Sequence, residues 1–273
     1  WGLGDVHRRL GEHDDGKRRY EEALGLYREI GHRLGEAHVL LGLGHVHRMF
    51  GEYDDGRKRY EGALGLCREI GDRLGEACAL WGLGEVHRRL GEHEDSRRRY
   101  EEALSLCREI GHRLCEAYVI TGFGDLALAR GDCRAAKERY KEALAIYEAI
   151  GERHRRSYML LHLADAHIAL GELREALDCC QKAAELARAI GARGNFQDAL
   201  YRLVKLQMAQ GNFKAAIANC DELLSLVPDD IMALGLKGRV YLASGEFALA
   251  EKSLWRVLKL DEGPTWRFIL AVA

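Results

Sequence analysis

Twelve histidines and eight cysteines are the side chains of this 273-residue chain best suited to metal or nucleophilic chemistry. Their spacing points away from both. His7, His47 and His87 recur at matching places in a repeating pattern. If each sits on the same helix of successive units, at least one helix intervenes, and axes packed about 8–10 Å apart keep these imidazoles from sharing one zinc. Neither His45 with His47 nor His162 with His167 has the i, i+4 spacing that brings two ligands together on a helix, so no metal is expected. Cys67, Cys78, Cys107, Cys115, Cys133, Cys179, Cys180 and Cys220 contain no C-x-x-C pair. Cys67 and Cys107 stand where another unit has Tyr27, and Cys180 and Cys220 where others have Tyr60 and Tyr100. They read as reduced, small hydrophobic residues and imply a reducing, cytoplasmic setting. Segments such as G-L-G-x-V-H lack the preceding strand and the following G-K-[ST] of a phosphate loop, and no G-x-S-x-G or H-E-x-x-H occurs. Neither a cofactor nor an enzymatic activity is expected.

The charges are plentiful but balanced. Lys17 to Arg19, Arg57 to Arg59 and Arg97 to Arg99 form basic triplets, with Glu21, Glu22, Glu61, Glu101 and Glu102 one turn further along. Solvated pairs at helical spacing, each worth about 0.2–0.5 kcal/mol, account for them. Lysine and arginine total 41 against 43 aspartates and glutamates, and the pI is 6.7, so nothing favours a nucleic-acid backbone as partner. No run approaches the roughly 20 apolar residues of a membrane span. The chain opens on Trp1, in mid-pattern compared with Leu41 and Trp81, as expected of a piece of a longer protein.

What must position these side chains is a series of helices. Gly11, Gly31, Gly51, Gly71, Gly91, Gly111, Gly131, Gly151, Gly171, Gly191 and Gly211 stand at equal intervals, and glycine ends helices in a left-handed conformation that other residues resist. The spacing predicts helices of roughly 17 residues between them. Only two prolines, Pro228 and Pro264, interrupt the chain. Every second interval repeats its sequence nearly unchanged over 1–40, 41–80 and 81–120, and more loosely afterwards, which makes a unit of two helices. In the second unit Val39, Leu43, Val46 and Phe50 share one stripe, and Tyr53, Tyr60, Ala63, Leu64, Cys67 and Ile70 share another. A lone pair cannot bury both stripes, so neighbouring pairs must stack.

Residues at fixed places in each unit carry a resemblance to a known family. Leu43-Gly44 and Leu83-Gly84 fill the L-G step of W-x-x-L-G-x-x-Y, whereas Phe123 replaces the leucine before Gly124. Tyr241 fills the later tyrosine position that His7, His47, His87 and His167 occupy elsewhere. Ala136, Ala176, Ala216 and Ala250 match the small alanine of the second helix, where Gly16, Gly56 and Ser96 stand in the first three units. Tyr60, Tyr100 and Tyr140 match the aromatic after it, and Pro228 the closing proline. The chain thus resembles the tetratricopeptide repeat, in an extended form similar to that of LGN-type adaptors, kinesin light chains and MalT-like sensor domains.

The resemblance implies an all-α, right-handed solenoid of stacked antiparallel helix pairs. Its units would run over about 1–40, 41–80, 81–120, 121–160, 161–200, 201–234 and 235–260, with 261–273 an apolar cap or partial repeat. It also implies a concave groove lined by the first helix of each unit. Carried over position by position, that groove holds Asp5, Arg8, His45, Arg48, Trp81, Glu85, Arg88, Asp125, Asp165, Tyr201, Lys205 and Arg239. Arginines beside exposed rings suit carboxylates and extended backbone. Equally, Asp5 with Arg8 and Glu85 with Arg88 satisfy each other at i, i+3 spacing within one helix. The function expected is a scaffold that binds a protein or peptide partner, possessing acidic groups, along the groove. The alternative is a ligand-sensing or autoregulatory arm of a multidomain signalling ATPase or transcription regulator.

Overall fold

The computed structural model describes residues 13–260, and every element among them is an α-helix. Trp1, Asp5, His7, Arg8 and Gly11, and the expected cap over 261–273, lie outside the described residues. Thirteen helices follow one another: α1 (His13–Glu29), α2 (Arg33–Met49), α3 (Tyr53–Ile70), α4 (Arg73–Arg89), α5 (His93–Glu109), α6 (Arg113–Ala129) and α7 (Cys133–Ala149) form a first compact unit that ends at Gly151. The second unit begins at Glu152 and comprises α8 (Arg153–Ala169), α9 (Leu173–Ala189), α10 (Arg193–Ala209), α11 (Phe213–Leu226), α12 (Ile231–Ser244) and α13 (Phe247–Leu260).

The glycine spacing does what it predicts. At Gly71 the backbone turns left-handed (φ 75°, ψ 19°) and its N–H reaches the Cys67 carbonyl, while the Asp72 N–H reaches the same carbonyl at 2.9 Å. Such bonds satisfy carbonyls that the helix end would leave bare. The same conformation recurs at each described glycine of the series from Gly31 to Gly211 and again at Gly245. Side chains close the opposite ends. Asp72 accepts from the Gly75 N–H at 2.9 Å, and His32 and His112 accept through Nδ1 from Gly35 at 2.8 Å and Cys115 at 3.1 Å. Two histidines are therefore helix caps.

Within each unit, connections of three residues, or two after α3, turn each 17- or 18-residue helix back antiparallel to the last. Within the first unit α2 also packs against α4, and α4 against α6; within the second α8 packs against α10, and α10 against α12. First helices thus form a continuous layer in each unit, with second helices beside it. Val39, Leu43, Val46, Tyr60, Ala63, Leu64 and Cys67 are buried as their stripes require. Phe50 and Ile70, expected in those stripes, are exposed instead, because each is the last side chain before a turn and overhangs the packed layer.

Tyrosines wedge the first helices apart at fixed distance. The Tyr60 ring fills the space between Gly44 of α2 and Gly82 of α4, so that an added Cβ would stand 2.9 Å from Tyr60 Cδ1 at the first and 2.5 Å from Cζ at the second. Tyr100 lies in the same way between Gly84 and Gly122. The small position of the second helix has an equally direct cause. A Cβ on Gly56 would lie 3.3 Å from the Gly44 carbonyl oxygen, and Ser96 and Ala136 are completely buried at the corresponding crossings. Close helix approach, more than backbone freedom, selects small residues there.

Charged clasps tie neighbouring pairs. Glu36, Glu76 and Glu116, each buried, receive two arginines apiece: Arg28 and Arg33, Arg68 and Arg73, Arg108 and Arg113. Arg33 and Arg73 continue to Glu69 and Glu109 on the second helix of their own pair. No helix among the described residues is long and apolar enough to cross a membrane.

Candidate functional site

The stripe of first-helix residues is a ladder of alternating charge in the first unit. Arg48 of α2 bonds His45 Nδ1 at 3.1 Å, reaches Glu85 of α4 at 3.7 Å, and lays its guanidinium over the Trp81 ring at 5.5 Å. Arg88 bonds Glu85 at 2.9 Å, one turn along its own helix, and approaches Asp125 of α6 at 3.8 Å. The side chains of Arg48 and Glu85 keep only 11% and 6% of their surface. Arginines expected to await a partner's carboxylates are therefore paired already, both within a helix and between helices.

Tyrosines of the second helices close the ladder from beneath. Tyr100 donates its hydroxyl to Glu85, and Tyr140 to Asp125 at 2.7 Å. His45 replaces the acid in the second repeat, and there the Tyr60 hydroxyl is buried without a hydrogen-bond partner. Burial pushes the Tyr60 phenol up to about 12, with the Arg48 guanidinium pulling the other way. Burial opposes the Arg88 charge too, yet Glu85 and Asp125 outweigh it and hold that guanidinium above its usual range. The Nε atoms of Arg48 and Arg88 and the Trp81 indole N–H are also buried without partners. The ladder is nearly neutral but retains donors.

In the second unit the same stripe is open. Asp165 of α8 accepts from Nε and one terminal nitrogen of the Arg202 guanidinium, each at 2.8 Å, from the neighbouring first helix α10. Tyr201 donates to Asp230 at the start of α12, and burial followed by that bond raises its phenol. Lys205 and Arg239 are exposed and form no ion pair with another described residue. Of the sequence-predicted residues, then, the structure joins His45, Arg48, Trp81, Glu85, Arg88 and Asp125 into one row. It ties Asp165 and Tyr201 to partners outside the predicted set, and leaves Lys205 and Arg239 to solvent. Arg202 and the tyrosine partners were missed by the stripe reasoning. A tyrosine fifteen residues after each acid, in 85/100 and 125/140, is the signal that would have found two of them.

The histidines of the former tyrosine position also have a place. His47, His87 and His167 each turn Nδ1 to a glutamate five residues on, Glu52, Glu92 and Glu172, the latter two at 2.5 Å. Comparing histidines only with one another hides these pairs. The ligand atoms of His47, Glu52 and Asp55, and of His87, Glu92 and Asp95, lie within 4.8 Å of one another, while Asp55 and Asp95 also bond Lys58 and Arg98. The eight cysteines are free thiols.

No curated protein matches the chain in sequence. Solved structures resemble it in fold. The STAND ATPase PH0952 of Pyrococcus horikoshii, described as having a tetratricopeptide repeat sensor, aligns over 98% of this chain and 44% of its own, with TM-score 0.78 and 15% identity. A Rap protein complexed with Competence and Sporulation Factor aligns over 98% of this chain and 74% of its own, with TM-score 0.66 and 14% identity. A putative kinesin light chain of Podosopora anserina with nearly identical repeats aligns over 68% and 96%, with TM-score 0.58 and 15% identity. Two family models, each described as Tetratricopeptide repeat, match residues 1–69, 35–109 and 75–149, and residues 121–191, 163–231 and 201–265. With matches along nearly its whole length and the stacked helix pairs seen here, the chain belongs to the tetratricopeptide repeat family.

Proposed function

We propose that this chain is a protein-interaction scaffold that captures a peptide segment bearing acidic groups along its first-helix face. Tyr201, Lys205 and Arg239, all on the second unit, contact the acidic groups. The observation that carries the reading is the contrast between the two units. Arg48 and Arg88 are held by Glu85 and Asp125, whereas Lys205 and Arg239 are exposed without a described acidic partner. A cation without an internal partner is the one that gains most from a ligand carboxylate.

A displayed library of random twelve-residue peptides, selected on the full chain, tests this. Selected peptides are expected to be rich in Asp and Glu and to lose most of their affinity for Lys205→Glu combined with Arg239→Glu, whose sites are on the surface and leave the fold intact. Equal binding to that double variant refutes the assignment. The second reading, a sensor arm of a signalling ATPase, draws support from the alignment of 98% of this chain with PH0952, a STAND protein described as having a tetratricopeptide repeat sensor. An NTPase module encoded beside this chain, and nucleotide turnover that depends on a ligand of the array, decide for it.

A further inference from the structure

The histidine at the family's tyrosine position brings two carboxylates with it. His87 lies in the last turn of α4, Gly91 turns the chain left-handed, and Glu92 leads into α5, with Asp95 in its first turn. The Glu92 N–H donates to the His87 carbonyl at 2.9 Å, which sets both residues on the same turn. Glu92 occupies the capping place of α5, yet its carboxylate bonds none of the first-turn amides, unlike Asp72 and Asp132 at the starts of α4 and α7. It meets His87 Nδ1 at 2.5 Å instead. One ligand atom from each of His87, Glu92 and Asp95 lies within 4.8 Å of the other two. The sequence repeats this H-x-x-x-x-E-x-x-D spacing at His7, Glu12 and Asp15 and at His47, Glu52 and Asp55, and the ligand atoms of the last three gather in the same way.

We propose that His87, Glu92 and Asp95 bind a zinc ion, with water in the fourth position. One imidazole nitrogen and two carboxylate oxygens suit a borderline metal, whereas calcium and magnesium take about six oxygens or more. Zinc bonds of about 2.0–2.2 Å in a tetrahedron hold neighbouring ligand atoms about 3.3–3.6 Å apart, so the His87–Glu92 contact has to open by about 1 Å. Rotation of the carboxylates supplies that movement, because the Glu92 and Asp95 side chains keep 40% and 50% of their surface. The imidazole, with 12% of its surface left, is the fixed ligand. Competing cations are few. Among the described residues Glu92 pairs with His87 alone, and Arg98 takes Oδ1 of Asp95 at 2.9 Å, which leaves Oδ2 for a metal.

The matching cluster of the second repeat is the weaker of the two, for two reasons. Lys17 already places a cation on Glu52 at 3.3 Å, whereas Arg57, its counterpart one repeat on, turns to Asp54 at 2.6 Å. A metal on His47 Nδ1 would also put the ring proton on Nε2, which is buried without an acceptor. Metal-bound imidazoles ordinarily donate that proton to a partner. The cluster at His7, Glu12 and Asp15 includes positions outside the described residues. Spacing between histidines led away from a metal because the ligands that complete this set are carboxylates across a turn.

The test is titration of the full chain, stripped of metal and with its thiols reduced, using zinc chloride against a chelating indicator and cobalt chloride followed by absorption. Asp95→Asn and Glu92→Gln change exposed side chains, and helical circular dichroism checks that each variant is folded. Either one is expected to remove one zinc ion per chain or to weaken its binding at least about tenfold. Asp55→Asn, in the weaker cluster, is expected to leave that ion in place. Bound cobalt is expected to give the intense visible bands of a tetrahedral site without the near-ultraviolet band of a thiolate ligand, which separates this site from the eight free thiols. Zinc binding that is absent from the parent, or undiminished in both Asp95→Asn and Glu92→Gln, overturns the proposal. So does cobalt that binds only with a thiolate band, or an ion lost in Asp55→Asn and kept in Asp95→Asn.

Discussion

Gly82→Ala is the substitution whose outcome the packing dictates most sharply. Gly82 lies inside α4, an ordinary helix position where alanine should gain about 1 kcal/mol over glycine. Opposing that gain, the new methyl would stand 2.5 Å from Tyr60 Cζ, with Cε1 nearer still. The ring has no room to retreat. It is 2% exposed, and its other side rests on Gly44, where an added Cβ would also meet it at 2.9 Å. Overpacking of a tight core costs about 1–3 kcal/mol, and a blocked aromatic ring puts this case at the upper end, for a net loss of about 2 kcal/mol. Gly65 of α3 supplies the matched control, because its helical backbone is alike but nothing lies within 4 Å of its added Cβ. Gly65→Ala should stabilise by about 0.5–1 kcal/mol. Urea denaturation followed by helical circular dichroism should therefore place the two variants on opposite sides of the parent, roughly 3 kcal/mol apart. If Gly82→Ala matches or exceeds the parent's midpoint, the tyrosine is not the spacer between first helices, and the account of the glycine pairs fails.

Two further outcomes follow from buried polar groups. Ser96 is fully buried and its hydroxyl has no hydrogen-bond partner, while alanine occupies the same crossing in four later repeats. An unsatisfied hydroxyl costs about 1–3 kcal/mol, so Ser96→Ala should raise stability by about 1 kcal/mol, and a lowered denaturation midpoint contradicts this. Glu52 has its carboxyl held below the usual range by the His47 hydrogen bond and, next, by Lys17. A depressed native value means stability that is present above the unfolded value of about 4.3 and disappears as pH falls through the native one. Glu52→Gln should therefore flatten the decline in thermal midpoint below about pH 4.3; a decline identical to the parent's rules the pairing out as a contributor.

The helix ends at the regularly spaced glycines from Gly31 to Gly211 were legible in the sequence because their cause is local. A left-handed residue such as Gly71 terminates a helix wherever the chain places it. The burial of Leu43 and Tyr60 was legible for a similar reason, since a 3.6-residue period assigns a face before any neighbour is known. Phe50 and Ile70 mark where periodicity overreaches: they obey the stripe but stand at the helix ends, beyond the layer that would cover them.

For the candidate site the division falls elsewhere. The Glu85–Arg88 pair could be read from i, i+3 spacing along one helix. That Arg48 also reaches Glu85, and that Arg202 takes Asp165 instead of leaving it to a partner, could not. Those contacts join residues on separate helices, and which side chains meet depends on how far apart two helices stand and how each is rotated about its axis. Sequence alone determined that helices form, where they stop and which faces they bury. Stacking, with Tyr60 and Tyr100 setting the gap between first helices, decided which charges are spent inside the array and which stay exposed.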